Sequence, residues 1–470
     1  MTTQYVVHRL RGHPCRLLAA AAVVCAGVAF PAGAQVTETV LYSFGLNDGA
    51  APWAGVIADD RGALYGTTIS GGISNPTCGG GPQCGVVFKL TPPPGRQPPW
   101  FETTLWSLTG GNDGDAPFGG LFARNESPSR KKTLYGTATS GGPFPTACGG
   151  SGCGTIFKLT DGTLTTLYSF TGGSDGGVPG AALIANEKSG ALYGTTSGGG
   201  TSGNGTVFKI DTNDQTLTTI YSFLGSPDGA APLLGALLAD DTGALYGTTS
   251  AGGVSGNGTV FKLTPPARGQ TAWTESVLWS FSGSDGAVPF AGLIADERGA
   301  LYGTTISGGN FTAPGCAIFG SCGTVFRLMP PDHGESSWEL ATLYTFSGGS
   351  DGSGPTSTLI ADKTGALYGT AQRAGTFSGP VGGILGSGVV FKLTPPAHDK
   401  TPWIETVLWS FSGGADGGVP VPGLIADEQG ALYGTTEFGG NVNPQGPCGP
   451  DGCGVVFKLT GTGFVTEHDD

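Results

Sequence analysis

The sequence predicts an all-β chain, a seven-bladed β-propeller built of four-stranded antiparallel blades. Three observations lead there. The phrase GALYGTT stands at 62–68, 190–196, 243–249, 299–305 and 430–436, and the near-copies KTLYGTA (132–138) and GALYGTA (365–371) bring the set to seven. Around each copy lie four short runs of β-branched, aromatic and aliphatic residues bounded by Gly, Pro and Asp, the pattern of strands joined by tight turns. No run keeps a helical period. Seven units of four strands fit one ring of blades. A β-solenoid is the alternative, but Tyr65, Tyr135, Tyr193, Tyr246, Tyr302, Tyr368 and Tyr433 recur every 53 to 70 residues, long for one solenoid coil.

Within a unit the order is GLIAD, ALYGTT, GTVFKL and TVLYSF, called here strands A, B, C and D. Strand A is taken as the innermost. The A–B connection is a type I turn: Asp suits its first position and Gly its fourth, as in Asp59 with Gly62, Asp240 with Gly243, Asp296 with Gly299, Asp362 with Gly365 and Asp427 with Gly430. These Asp residues read as turn formers, not catalysts. The second unit departs, with the longer basic stretch NESPSRKK at 125–132. In strand B, the Gly after Tyr is expected to leave room for a side chain of the neighbouring blade. Runs such as TVLYSF and VVFKL are apolar on both faces, as blades stacked face to face require. Four C–D loops bring Trp100, Trp273, Trp338 and Trp403 before strand D, where they are expected to pack. The chain opens on a D strand, TVLYSF at 39–44, so the N-terminal strand should complete the last blade and close the ring. The stretch GTGFVTE (461–467) is a rival for that edge.

Before the first strand, Arg9, Arg11 and Arg16 precede the apolar run LLAAAAVVCAGVAF and the small-residue site AGA at 32–34. This reads as a secretory signal peptide over 1–34, with a single propeller domain over 35–470 and a secreted or periplasmic destination after cleavage near Ala34. Cys25 suggests a lipid anchor only weakly, because AVV before it makes a poor lipidation site. No other segment is apolar over a membrane-spanning length. The 88 Gly and 33 Pro make about a quarter of the chain, and their periodic placement assigns them to turns rather than to disorder. The formal charge of −13 becomes −16 without the three leader Arg. Such an acidic, Lys-poor chain is not expected to bind nucleic acid or anionic lipid through charge, and a monomer is expected.

GALYGTT, GTVFKLT and LYSFSGGSDG, recurring in fixed order over about 37–460, resemble the Gloeobacter/Verrucomicrobium-type (GloVer) tandem repeat of secreted bacterial proteins. The resemblance implies an exported bacterial propeller of undetermined biochemical role. Relatives commonly carry a C-terminal sorting or anchoring segment, whereas this chain ends on VTEHDD.

Eight Cys form four local pairs in B–C loops: Cys78/Cys84, Cys148/Cys153, Cys316/Cys322 and Cys448/Cys453. In an oxidising compartment each pair reads as a short-loop disulfide. Metal binding is the rival, but two Cys cannot complete a tetrahedral site, and His333, His398 and His468 lie in other segments. Antiparallel alternation places the B–C and D–A loops on one face of the ring. Each D–A loop carries an Asp-Gly: Asp48, Asp113, Asp175, Asp228, Asp285, Asp351 and Asp416. One carboxylate per loop falls short of the six to eight oxygens of a Ca²⁺ site, so these read as turns, and neither metal nor cofactor is expected. A residue present in every blade serves what every blade needs, so a site must break the symmetry. Blade six reads Ala371-Gln372-Arg373 and blade seven Glu437-Phe438 where other blades carry Thr, Ser, Ile or Gly. After the D–A Pro, Trp53, Phe118 and Phe290 replace smaller residues. Gln372, Arg373, Glu437, Trp53, Phe118 and Phe290 are therefore the candidate binding residues, with an Arg373–Glu437 ion pair or solvent exposure as the plain alternative and blade packing as that of the aromatics. Phosphate loops, HExxH and His–Cys pairs are absent. A non-catalytic scaffold for a glycan, peptide or envelope partner is the leading expectation. A carboxylate-dependent carbohydrate-active enzyme with a central-pocket site is the second, and a purely structural envelope protein the third.

Overall fold

The computed structural model describes residues 35–466 except 79–82, 96–98, 127–130, 145, 147, 187–189, 314–315, 317–319, 333–336, 377–379, 382–383, 398–401, 422 and 443–447. The expected leader (1–34), His333, His398, His468 and part of the basic insertion lie outside the described residues. Among the described residues there are seven antiparallel blade sheets in the order A-B-C-D, with two small two-stranded ribbons in the loops. Blade one shows the pattern: A Ile57–Ala58, B Leu64–Thr68, C Val86–Thr91 and D Phe101–Ser107. Strand A is two residues long in every blade except the second, where Phe122–Glu126 is extended by the insertion. Blades six and seven gain a fifth strand, Ser353–Pro355 and Gly418–Pro420, paired to the end of strand B. The last sheet contains Thr37–Ser43 hydrogen-bonded to Val455–Thr460, with Thr37 opposite Thr460.

The apolar core lies between blades. There is one buried cluster per joint, each mixing residues of successive blades. The cluster of Leu41, Phe44, Val56, Leu64, Phe88, Trp100, Tyr433 and Val456 joins the last blade to the first. Trp100 is buried there, and Trp273 meets Tyr193 of the preceding blade edge to face at 6.2 Å. Such two-sided burial is why the strands read apolar on both faces. Segment 461–466 joins no sheet. It lies over the A–B turns of blades six and seven, where Thr462 donates to the Gly430 carbonyl and Phe464 packs on Tyr368 at 4.9 Å.

Every letter of the recurrent phrase has a place. In blade one, Gly62 takes φ +80° and closes the turn by donating to the Asp59 carbonyl. Tyr65 donates its hydroxyl to Asp59 at 3.0 Å, and the same bond recurs at Tyr246, Tyr302, Tyr368 and Tyr433. The Gly after Tyr faces the Phe of its own strand C, not a side chain of the next blade as the sequence suggested. A Cβ at Gly66 would stand 2.6 Å from Phe88, and all seven copies are alike, at 2.4–2.6 Å. The first Thr is the inter-blade link. Thr67, Thr137, Thr248, Thr304, Thr370 and Thr435 donate to Gly119, Ala181, Ala291, Ser357, Val421 and Ala54, each a backbone carbonyl in the D–A connection of the next blade. Thr195 is the exception: its buried hydroxyl has no partner, beside a D–A segment that is one residue longer, with Leu233-Leu234 after Pro232.

Candidate functional site

The B–C and D–A loops share one face of the ring. In each blade the second position of the B–C Gly-Gly, or its counterpart Gly375, donates its N–H to a carbonyl of the D–A loop, as Gly72 does to Leu46 and Gly440 to Gly414. The residue before each D–A Pro adopts a left-handed backbone: Ala51, Ala116, Val178, Ala231, Val288, Gly354 and Val419, at φ +51° to +63°. For Val this is a strained conformation. It aims each N–H at a carbonyl of the preceding blade: Cys453, Cys84, Cys153, Asn204, Asn257, Cys322 and Ser387 respectively. The Pro that follows packs on the Gly after that acceptor; a Cβ on Gly454 would meet Pro52 Cδ at 2.6 Å.

This arrangement explains the cysteines. All four disulfides form, Cys78–Cys84, Cys148–Cys153, Cys316–Cys322 and Cys448–Cys453. The second Cys of each supplies the carbonyl that receives the next blade's strained residue, so each disulfide fixes a blade joint as well as a loop. Among the described residues, the cluster able to offer a metal several ligands is Cys78, Cys84 and Asp115, whose two sulfurs are already joined. The D–A carboxylates are held by their own loops. Asp175, for example, accepts from Tyr168 at 3.1 Å and from the Thr171 N–H at 2.8 Å, and Asp285 accepts from Trp279 at 2.9 Å and the Ser282 N–H at 2.8 Å.

On the loop face two positions recur in every blade, the residue after each D–A Pro and the residue after each GTT or GTA. The first is Trp53, Phe118, Gly180, Leu233, Phe290, Thr356 and Val421; the second is Ile69, Thr139, Ser197, Ser250, Ile306, Gln372 and Glu437. The predicted site residues other than Arg373 thus fall at these two repeat positions, and the structure brings Trp53 and Phe118 into contact. Blades one, two and five carry the aromatic residues, and Trp53 and Phe118 of the adjacent blades one and two touch edge to face at 5.7 Å. All three aromatics are half-buried.

The blade six and seven arc is polar and buried. Pro355 pairs with Ala371, so Thr356 and Gln372 share the face of the ribbon that carries Thr370 toward blade seven. Gln372 is only 7 % exposed and its Nε2 has no hydrogen-bond partner. The hydroxyls of Thr356 and Ser387, also fully buried, are equally without partners. Ser387 stands in the place of the second Cys at this joint. In blade seven, Pro420 pairs with Thr436, so Glu437 shares the face on which Thr435 reaches Ala54 of blade one, next to Trp53. Burial pushes the Glu437 carboxyl up to about 7 and lowers the Arg373 guanidinium. The indole Nε1 of Trp53 is buried with no partner.

Sequence reasoning missed Thr356 and Ser387, although comparison of equivalent positions would have exposed both. It also missed the character of the surrounding face. Arg373, Glu437 and Asp451 are the only charged residues in the B–C loops (69–85, 139–154, 197–205, 250–258, 306–323, 372–388 and 437–454). The same loops hold up exposed apolar side chains one or two residues past their Gly-Gly: Ile73 (72 % exposed), Phe144, Val254 (76 %), Phe311 and Val442.

Among curated proteins none matches the chain. Solved structures that resemble it include a Bacteroides uniformis protein assigned by name to the 6-phosphogluconolactonases, 13% identical, covering 81% of this chain and 88% of its own, with a TM-score of 0.44. A Bacteroides thetaiotaomicron protein of unknown function is 11% identical, covering 90% of this chain and 76% of its own, with a TM-score of 0.41. The family model of the Gloeobacter/Verrucomicrobia repeat matches residues 25–188, 77–319, 134–380 and 234–469. Together with the seven-fold phrase and the ring it builds, these matches place the chain in the Gloeobacter/Verrucomicrobia repeat family.

Proposed function

We propose that this chain is an exported, non-catalytic binding scaffold that holds its ligand at the mouth of the loop face. The observation that carries this reading is the break in symmetry at blades six and seven. There three side chains buried by more than nine-tenths, Thr356, Gln372 and Ser387, keep polar atoms without partners. Each such atom costs about 1–3 kcal/mol in an isolated fold, a cost that a ligand supplying hydrogen bonds would offset. Rigid loops on a regular frame are where binding resides in such folds, and the disulfides supply the rigidity. The disulfides also support an oxidising destination, with 1–34 as the leader and 35–470 as one domain closed by the N-terminal strand. No helix among the described residues is long and apolar enough to cross a membrane.

The enzyme reading is less favoured. Glu437 is the one acid among the fourteen residues at these two repeat positions, whereas glycoside hydrolysis by the usual route requires two carboxylates about 5–10 Å apart. Buried polar atoms without partners occur at other joints too, Thr195 among them, but a purely structural role does not account for three of them, Thr356, Gln372 and Ser387, in blade six.

The test is a glycan and peptide array probed with residues 35–470 and with Gln372→Ile and Glu437→Ile, which restore the residue of blades one and five. Binding by the parent chain that both variants lose supports the reading. Binding that both retain moves the site elsewhere.

A further inference from the structure

The mouth also says what kind of ligand it takes, an inference that rests on the site proposed above. We infer that its ligand is an uncharged polyhydroxylated ring, a neutral saccharide unit, with its apolar face on Trp53 and Phe118 and its hydroxyls against Gln372, Thr356 and Glu437.

Three observations converge. First, the unpartnered groups are of mixed kind. Gln372 Nε2 and Trp53 Nε1 are donors that need an acceptor, and Thr356 Oγ1 can do either; Glu437 adds a carboxyl with acceptor oxygens. A sugar hydroxyl is donor and acceptor at once and can serve all of them. A hydrocarbon can serve none.

Second, the mouth is two-sided. Half-buried Trp53, in contact with Phe118 of blade two, lies on blade one next to blade seven, whose Glu437 faces blade one, while Gln372 and Thr356 face blade seven from the other side. A pyranose ring has the matching character: C–H groups on its faces, hydroxyls on its edge. Aromatic faces and edges take the former, directional polar groups the latter.

Third, the face does not suit an ion. Arg373 is the one Lys or Arg in all the B–C and D–A loops, and Glu437 stands at the mouth. An anionic sugar or acidic peptide would meet a carboxyl and a single cation. A cationic ligand would meet only Glu437, because the D–A carboxylates are engaged by their own loops, as for Asp175 and Asp285. Buried uncompensated charge is costly on either side, which leaves a neutral ligand.

The test is calorimetric titration of residues 35–470 with cellohexaose, maltohexaose and chitohexaose, with hexagalacturonate as the acidic counterpart and a pool of uncharged hexapeptides as the protein-like one. The expected result is binding of at least one neutral hexaose, weakened tenfold or more by Gln372→Ile and by Trp53→Leu, with little binding of hexagalacturonate. Glu437→Gln, which keeps an acceptor oxygen, should retain more affinity than Glu437→Ile. Unfolding midpoints at or above that of the parent chain show that Gln372→Ile and Glu437→Ile remain folded. Peptide or hexagalacturonate binding that Gln372→Ile abolishes would overturn the saccharide assignment and keep the site. Failure of every neutral hexaose to bind would also overturn the assignment. Hexaose binding that Gln372→Ile leaves intact would overturn both the assignment and the site.

Discussion

Replacing Gln372 with Ile should make the protein more stable while removing its ligand binding. Gln372 is 7 % exposed, its Nε2 is buried, and no hydrogen bond reaches that atom. An unsatisfied buried amide donor costs about 1–3 kcal/mol. The equivalent positions in blades one and five are Ile69 and Ile306, so the local backbone already accommodates Ile at two other joints. The substitution removes the orphan and adds apolar burial, for an expected gain of about 1–3 kcal/mol. Urea unfolding followed by tryptophan fluorescence reads the gain as a higher midpoint at unchanged slope. Stability given up at a site in favour of binding is a familiar trade-off. A loss of 1 kcal/mol or more on Gln372→Ile would show that the side chain is structurally required, and the argument from orphaned polar atoms would fail.

Further outcomes follow from the joints. Thr435→Val removes the 3.0 Å bond to the Ala54 carbonyl and should destabilise by about 1–3 kcal/mol, whereas Thr195→Val removes a hydroxyl without a partner and should be neutral or stabilising; equal losses in urea titrations would assign the Thr to packing instead. Glu38, Glu102, Glu275 and Glu405, at matching places on four D strands, have carboxyls raised by burial and nearby Asp charge to about 7, except that burial is offset in part at Glu102 by the Thr104 hydroxyl. The folded state then holds protons that the unfolded state has released, so stability is full below about pH 4.5 and falls as pH rises to 7; unfolding midpoints between pH 4 and 8 should show this slope, and a quadruple Glu→Gln variant should flatten it. Reduction of the disulfides should cost less than about 3 kcal/mol per loop, yet speed amide exchange at Ala51, Ala116, Val178 and Gly354, whose acceptors are disulfide cysteines, more than at Ala231, Val288 and Val419; uniform acceleration would deny the disulfides a role at the joints.

Most of the fold was legible because its signals are local. The Asp59–Gly62 turn, the strand runs and the Cys pairs each lie within a few residues of one another. The site was legible only as departures from the repeat, which picked out Gln372, Arg373, Glu437, Trp53, Phe118 and Phe290 but not their setting. What escaped depends on contacts between blades. The first Thr of the phrase looks like a strand residue until Ala54, 381 residues away, is seen to accept its proton. The Gly after Tyr was assigned to the wrong neighbour, because the register that puts Gly66 opposite Phe88 belongs to the sheet and not to the phrase. Val178, Val288 and Val419 carry no sequence mark of a left-handed backbone; the inter-blade hydrogen bond imposes it.

The most direct test of the central claim is the indole N–H resonance of Trp53 in an NMR titration, assigned by its loss in Trp53→Phe. This group is buried without a partner at the joint that Glu437 faces. The account predicts that a ligand found by the array shifts this resonance in the parent chain and not in Gln372→Ile. A ligand that binds the parent chain with the Trp53 signal unmoved would contradict it.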